Sequence, residues 1–590
     1  MRDVIVVGAG GGGAVGAKEL AERGLDVLLL EAGPRWKHPA EAWSHQERDA
    51  NNPATGFFRF GPSDRSKPPW PRDLPQYSFL WQTAGVGGST THYFGNCPRA
   101  MPGVFAGYSG PDAGAYDTHR FPFPYSELVP YYEWVEHTLP VETAPMGTKE
   151  VLFLRGARKI GLPVQKVKDI SKAACRPQEN AILQPRGTAG KTRNRKRLRY
   201  PHAKGCTFCG HCLEGCLEPR RSPRNLKAKR STDASYVPMA LTANRWAKGK
   251  AATLVANAFV TRVNLLPLDY PGPPIVAGVT WRSTRSGETH TERAKVVVLA
   301  GGCVETPRLW LRSGLPNDND LVGRGLTDHY PDFVIGRFSR DTGSSRGPGS
   351  NARADFPGIG SIEVTTLPPG LQAYSLAFSD SGMVGLYDNG APVSAEGADS
   401  VGRLVGRRLK SFVSDVDRLL NVLVLTDDDV EAQNRVRLSS DISDPHGPVA
   451  RVEVPYRKRS VRTKHNRDFL ARKAVELLRA AGAKRVVRMN IAPVLFHLHS
   501  TMRMGASASD SIVDPHGESW GVRRLFVADT SALANGVGGV NPTLTAQALA
   551  TRAAERIFTQ YFGGDPWVGK ESPVSSIDPR VTRAVKAAGL

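Results

Sequence analysis

The first 31 residues constrain this chain more than any other segment. An apolar run, Asp3-Val4-Ile5-Val6-Val7, leads straight into Gly8-Ala9-Gly10-Gly11-Gly12-Gly13, and residues 14–23 then follow a helical pattern. An unbroken apolar run ending in glycine predicts a buried parallel strand and a tight turn. The spacing is G-x-G-x-x-G between strand and helix, the setting that gives this pattern meaning. Gly8 allows the turn, Gly10 lets a pyrophosphate approach the backbone, and Gly13 lets helix and strand pack closely. The helix start offers N–H groups and the positive end of its dipole to phosphates. A second apolar run, residues 26–30, ends in Glu31, placed to accept hydrogen bonds from ribose hydroxyls. An acid there argues against a 2′-phosphate, hence against NADP. FAD and NAD stay equally open on this segment. The plain alternative is a glycine-rich turn that holds no ligand.

At 590 residues the chain is long enough for two or more domains. No apolar run is long enough to span a bilayer. A strand beginning at Asp3 predicts a cytoplasmic protein without a signal peptide, or one exported with a signal-bearing partner. The net charge of +22 is uneven, with much of the excess between Arg186 and Arg230, as in the run 191–197. No nucleic-acid motif accompanies it, so a solvated loop or a docking face for an acidic protein is expected, and nucleic acid is not. Seven cysteines are too few for a disulfide scaffold, and their clustering points to metal chemistry instead.

A second glycine-rich stretch reads Gly85-Val86-Gly87-Gly88-Ser89-Thr90-Thr91-His92-Tyr93. With the first motif it resembles the glucose–methanol–choline oxidoreductases, whose flavin loop reads G-x-G-G-[ST]-[ST]. Residues 299–309, Val322-Gly323-Arg324-Gly325-Leu326-Thr327-Asp328-His329, residues 497–505 and Asn541-Pro542-Thr543-Leu544-Thr545 follow in the family's order. The resemblance covers most of the chain and implies FAD. Glycines at 85, 87 and 88 let main chain lie against a flat ring system. Asn541-Pro542 is read as opening a helix, with Pro542 at its first position and Thr543 behind it. Such a helix end favours the negative charge of a reduced flavin. Val260 resembles the position that meets adenine through its backbone, and Asp529 and Arg503 are read as holding loops and flavin polar groups. His92 stands where some relatives, pyranose 2-oxidase among them, join a histidine covalently to the flavin. The alternative is a histidine that only packs against it.

Taking a hydride from an alcohol carbon requires the hydroxyl proton to leave at about the same time, and a neutral histidine suits that task. The resemblance puts His497 at the catalytic position, four residues before Thr501, and Asn541 at the second, where an amide would bond the substrate oxygen. His499 is the rival base; the spacing favours His497.

Cys206, Cys209, Cys212 and Cys216 follow C-x2-C-x2-C-x3-C, the ferredoxin spacing for iron–sulfur ligation; Leu217 replaces the usual proline, which leaves either Cys216 as a spare or Cys175 as a contributor. A cluster would pass electrons out of the flavin singly, which favours a dehydrogenase with a cytochrome-like acceptor protein. Zinc is the competing reading.

The expected fold is α/β: a Rossmann-type FAD-binding domain with a second, substrate domain built on an antiparallel sheet. The flavin domain is drawn from residues 1–110, 225–335 and 500–562. Residues 111–170 form a substrate-side segment, 171–224 a basic Cys-rich insertion, 336–499 the substrate domain and 563–590 a tail. Within 336–499, residues 361–365 alternate like a strand and Asn466 to Ala481 reads as helix. The expected activity is oxidation of a sugar or glycoside, at a secondary ring hydroxyl. The alternatives are a steroid or long-chain alcohol oxidoreductase, and a basic zinc-knuckle nucleic-acid-binding protein on an inert flavin fold.

Overall fold

The apolar run at the amino terminus becomes the strand Arg2–Val7 in the computed structural model, which describes residues 1–36, 60–64, 66–75, 78–107, 119–143, 145–165, 172–184, 205–216, 224–267, 271–367, 369–381, 392–455, 459–491 and 494–590. The basic run 191–197 lies outside these residues. Arg2–Val7 pairs in parallel with Val27–Glu31 on one side and with the end of Thr289–Leu299 on the other. Thr253–Ala256 and Leu525–Val527 extend the parallel sheet outward on the two sides. Every residue of Val27–Glu31 is buried, as continuous apolar runs in a sheet covered on both faces require.

Thr289–Leu299 changes partners along its length, and its sequence says why. The run Lys295–Leu299 is almost all apolar and sits in the parallel core, whereas the polar stretch Thr289–Arg293 pairs antiparallel with Val276–Ser283, whose other neighbour is Ala258–Leu265. The helix Gly13–Glu22 packs on the parallel sheet because Gly13 has no side chain: a Cβ there would lie 1.9 Å from the Gly8 carbonyl oxygen.

A second sheet runs in the order 400–401, 485–488, 332–337, 419–426, 360–365, 352–356, 174–177, antiparallel apart from its first pair. Its strands sort their side chains with period two. Val334, Val422 and Val424 meet the helices Thr148–Lys159 and Val461–Ala481, while Phe333 and Leu423 point into the central cavity. The second of these helices begins five residues before the stretch that reads as helical, because Ser460 caps its first turn by accepting from the Thr463 N–H. The segment that the sequence sets apart as a Cys-rich insertion supplies an edge strand of this sheet, Ala174–Pro177, paired with Ala352–Phe356. The tail folds back, burying Trp567 and seating Val581 and Val585 of the helix Pro579–Ala587 against Met239. Among the described residues no helix is long and apolar enough to cross a membrane.

Candidate active site

Between the two sheets lies a cavity of about 360 Å³. Gly8, Gly10, Glu31, Gly88, Ser89, His92, Val260, His497, Asp529, Asn541, Pro542 and Thr543 all line it. Gly13, Gly87 and His499 stand behind that lining. Residues from the beginning, middle and end of the chain are thus brought to one place.

At the amino-terminal end, Gly8 adopts a φ of +105°, and the nearest atom to a Cβ on Gly10 would be the Gly88 Cα at 3.8 Å. Gly10 lines the cavity with no side chain between its backbone and that space. Glu31 does more than sequence reasoning assigned to it. Its Oε2 accepts from the Ala9 N–H at 2.9 Å, and its Oε1 from the N–H groups of Gly33 and Gly85, each at 2.9 Å. One carboxylate thus ties both glycine loops together at the rim of the cavity. Asp529 plays a matching part opposite. Its Oδ2 accepts from the Gly302 N–H and the Thr306 hydroxyl, and its Oδ1 from the Ser531 N–H. This fixes the start of the helix Gly302–Arg312. Val260 lies in Ala258–Leu265, just ahead of a break in register.

The flavin-loop stretch Gly88–Thr91 forms a turn of 3-10 helix, entered through Gly87 at φ +103°. It is held from behind by residues 229–232, whose role the sequence did not reveal. The Lys229 ammonium is buried and donates to the carbonyls of Thr91, Tyr93 and Cys212 at 2.7, 2.9 and 2.6 Å. The Thr232 hydroxyl donates to the Gly87 carbonyl, and the Thr232 N–H donates to the Thr90 hydroxyl oxygen. His92 is buried, with Nδ1 2.9 Å from the Leu213 carbonyl oxygen. Burial pushes its pKa down to about 3, so the ring is neutral. A carbonyl can only accept, so Nδ1 carries the proton and Nε2 the lone pair.

His497 and Asn541 meet at the other end, with Asn541 Nδ2 3.4 Å from His497 Nε2. Burial, followed by the neighbouring His329, His499 and Arg353, holds the His497 pKa well below the ordinary histidine value. His499 is fully buried away from the cavity, and His329 spans the carbonyls of Thr426 and Val540. Asn541 precedes the helix Thr543–Phe562, which starts one residue later than expected, with Pro542 as its N-cap. The end of that helix faces the cavity through Pro542, Thr543 and Ala546. The neighbours of the Asn541 carbonyl, Gln178 and Arg353, were not singled out in the sequence. The available signal was the charge of Glu363 inside the strand-like run 361–365; Arg353 and Asp355 sit on buried positions of the neighbouring strand Ala352–Phe356.

The cysteine loop does not support one expectation. Cys206, Cys209, Cys212 and Cys216 border one small void. Yet among the described residues no three His, Cys, Asp or Glu side chains form a group able to hold a metal ion. Iron–sulfur ligation, and the zinc alternative with it, is not supported by this arrangement. Cys206 and Cys212 are buried instead in an apolar cluster with Ile182, Phe208 and Ala228, and Cys209 faces outward. Burial pushes the thiols of Cys206 and Cys212 up. Cys175 belongs to the sheet core, paired with Ala354.

Comparison with known proteins agrees with this geometry. Family models described as GMC oxidoreductase match residues 177–331 and 430–550, and one described as an FAD binding domain matches residues 3–45. Paromamine 6′-oxidase from Streptomyces fradiae is 27% identical, with 94% of this chain and 91% of that protein aligned. 2-Methyl-1,2-propanediol dehydrogenase from Mycolicibacterium austroafricanum is also 27% identical, over 95% of both. Pyridoxine 4-oxidase from Mesorbium loti has the same fold, with a TM-score of 0.59 at 17% identity over 96% of this chain and 100% of that one.

Proposed function

The chain belongs to the GMC oxidoreductases, FAD-dependent enzymes that act on alcohols, and from that premise we propose that it oxidises a CH–OH group of a sugar or glycoside. The observation that carries this reading is the pair His497 and Asn541, 3.4 Å apart on the lining that also holds the glycine loops. FAD, when bound, supplies the hydride acceptor. Gly8, Gly10, Glu31, Gly88 and Val260 would hold its dinucleotide and ring. His497 Nε2 takes the hydroxyl proton, since a neutral, buried imidazole is a base throughout the neutral range. Asn541 Nδ2 donates to the substrate oxygen and fixes it against that base. The same reading includes a covalent link from the flavin to His92, whose Nε2 keeps its lone pair.

The alignment with paromamine 6′-oxidase over nearly the whole chain supports a sugar-like substrate. A second reading rests on the wall beyond His497. Among the described residues it is formed by Phe333, Leu367, Leu423, Ile491 and Phe496, with Ser375 as a polar group. Such a wall suits an alcohol with an apolar body. The two readings separate in an anaerobic flavin-bleaching screen over paromamine, D-glucose, D-fructose, an aryl β-glucoside, 2-methyl-1,2-propanediol and a sterol. Bleaching by the sugars or the glucoside, with a ketone as product, supports oxidation at a secondary ring carbon. Bleaching by the sterol or diol alone supports the second reading. Oxygen uptake against dye reduction then identifies the acceptor class.

A further inference from the structure

We infer that Gln178 and Arg353 are positioning residues that lock the Asn541 carboxamide, so that its nitrogen and not its oxygen is presented to His497 and the substrate. The inference rests on the reading of His497 and Asn541 as the reacting pair.

The two ends of a carboxamide are nearly equal in size, so packing does not decide which way it points; hydrogen-bond partners do. Asn541 Oδ1 lies 3.2 Å from Arg353 Nη1 and 3.3 Å from Gln178 Nε2. A guanidinium offers only donors, so the atom facing it must be the oxygen. Both donors are themselves fixed. Gln178 Nε2 also faces Glu363 Oε1 at 3.5 Å, a carboxylate oxygen that can only accept, which commits the nitrogen to this side. Arg353 is fully buried and gives Nη1 to Glu363 and Nε to Asp355, each at 2.8 Å. With Oδ1 occupied, Nδ2 is left for His497 Nε2. An N–H aimed at Nε2 favours the ring form with a lone pair on that atom, the form that accepts an alcohol proton. The reversed amide would put a carbonyl against Nε2, favour a proton there and disarm the base.

Gln178→Met keeps the side chain's length and removes the donor. It should lower kcat for flavin reduction by the fastest alcohol of the screen by roughly tenfold, with KM little changed and FAD content retained. In an Asn541→Ala background the same change should have no further effect, because no amide remains to be oriented. A second readout needs no substrate. In protein carrying 13C-labelled histidine, the His497 ring should titrate at higher pH in Gln178→Met. The groups facing that ring, His329, His499 and Arg353, and Asp328 beneath its backbone N–H, are common to both proteins, which leaves the amide as the difference. Should Gln178→Met fail to fold, Arg353→Lys, which keeps the charge beside Glu363, is read in the same cycle. Equal slowing in the two backgrounds, or an unchanged rate with an unchanged His497 titration, overturns the inference. If Asn541→Ala itself leaves flavin reduction untouched, the proposed function fails instead, and the titration still decides the amide's role.

Discussion

Asn541 presents its amide nitrogen to His497 Nε2 at 3.4 Å, although 44 positions separate them in the chain. One group is a base without charge, the other a donor without a proton to lose. An alcohol oxygen set beside the pair, within reach of both nitrogens, has a donor to receive and a lone pair to give its proton to.

Replacement of the base is the direct test. His497→Ala should slow flavin reduction by roughly a hundred- to ten-thousand-fold, the usual contribution of a positioned base, with FAD still bound. His499→Ala should be milder, since His499 lies behind the cavity lining. Stopped-flow traces of the two variants decide the matter; a larger loss from His499→Ala would show that the wrong ring was chosen.

The pH profile carries a sign. Burial, then His329, His499 and Arg353, hold His497 well below the ordinary histidine pKa of about 6.5. The active form is the neutral one, so flavin reduction should stay level as pH falls through 6.5 and drop only in more acid solution. Half of the rate lost at or above that pH would contradict the assignment.

At the nucleotide end, Gly10→Val fills the open space beside Gly88. The variant should fold and purify colourless. Full FAD occupancy, measured by absorbance after denaturation, would place the pyrophosphate elsewhere.

His92 has a chemical test. If it carries the flavin, acid-precipitated protein stays yellow and the His92→Ala protein releases its colour to the supernatant. Free FAD from the unaltered protein would mean that the ring only packs against the cofactor.

Lys229 holds the flavin loop to the cysteine loop through three carbonyls. Lys229→Met leaves those acceptors buried and unpaired, which costs roughly 2–4 kcal/mol. A lower melting temperature is expected, with the exposed Lys248→Met as control. Matching melting curves for the two variants would remove the anchoring role.

What the sequence determined by itself was everything that local backbone chemistry encodes. The apolar runs at 3–7 and 26–30, the glycines at 8, 10 and 13 and the acid at 31 define strand, turn and helix within a few residues of one another, because parallel strands and tight turns leave direct residue signatures. The family motif spacing put His497 forward over His499, and the structure sets His497 on the cavity lining with His499 buried behind it. The cysteines show the limit. Their spacing is local, but the direction of each thiol is not, and tertiary packing buries Cys206 and Cys212 in an apolar cluster with Ile182 and Ala228. The surroundings of Asn541 were decided by tertiary structure alone. Gln178 lies 363 positions away and Arg353 lies 188 away, and only the register of the second sheet brings an amide just past the edge strand and a buried guanidinium to one carbonyl oxygen.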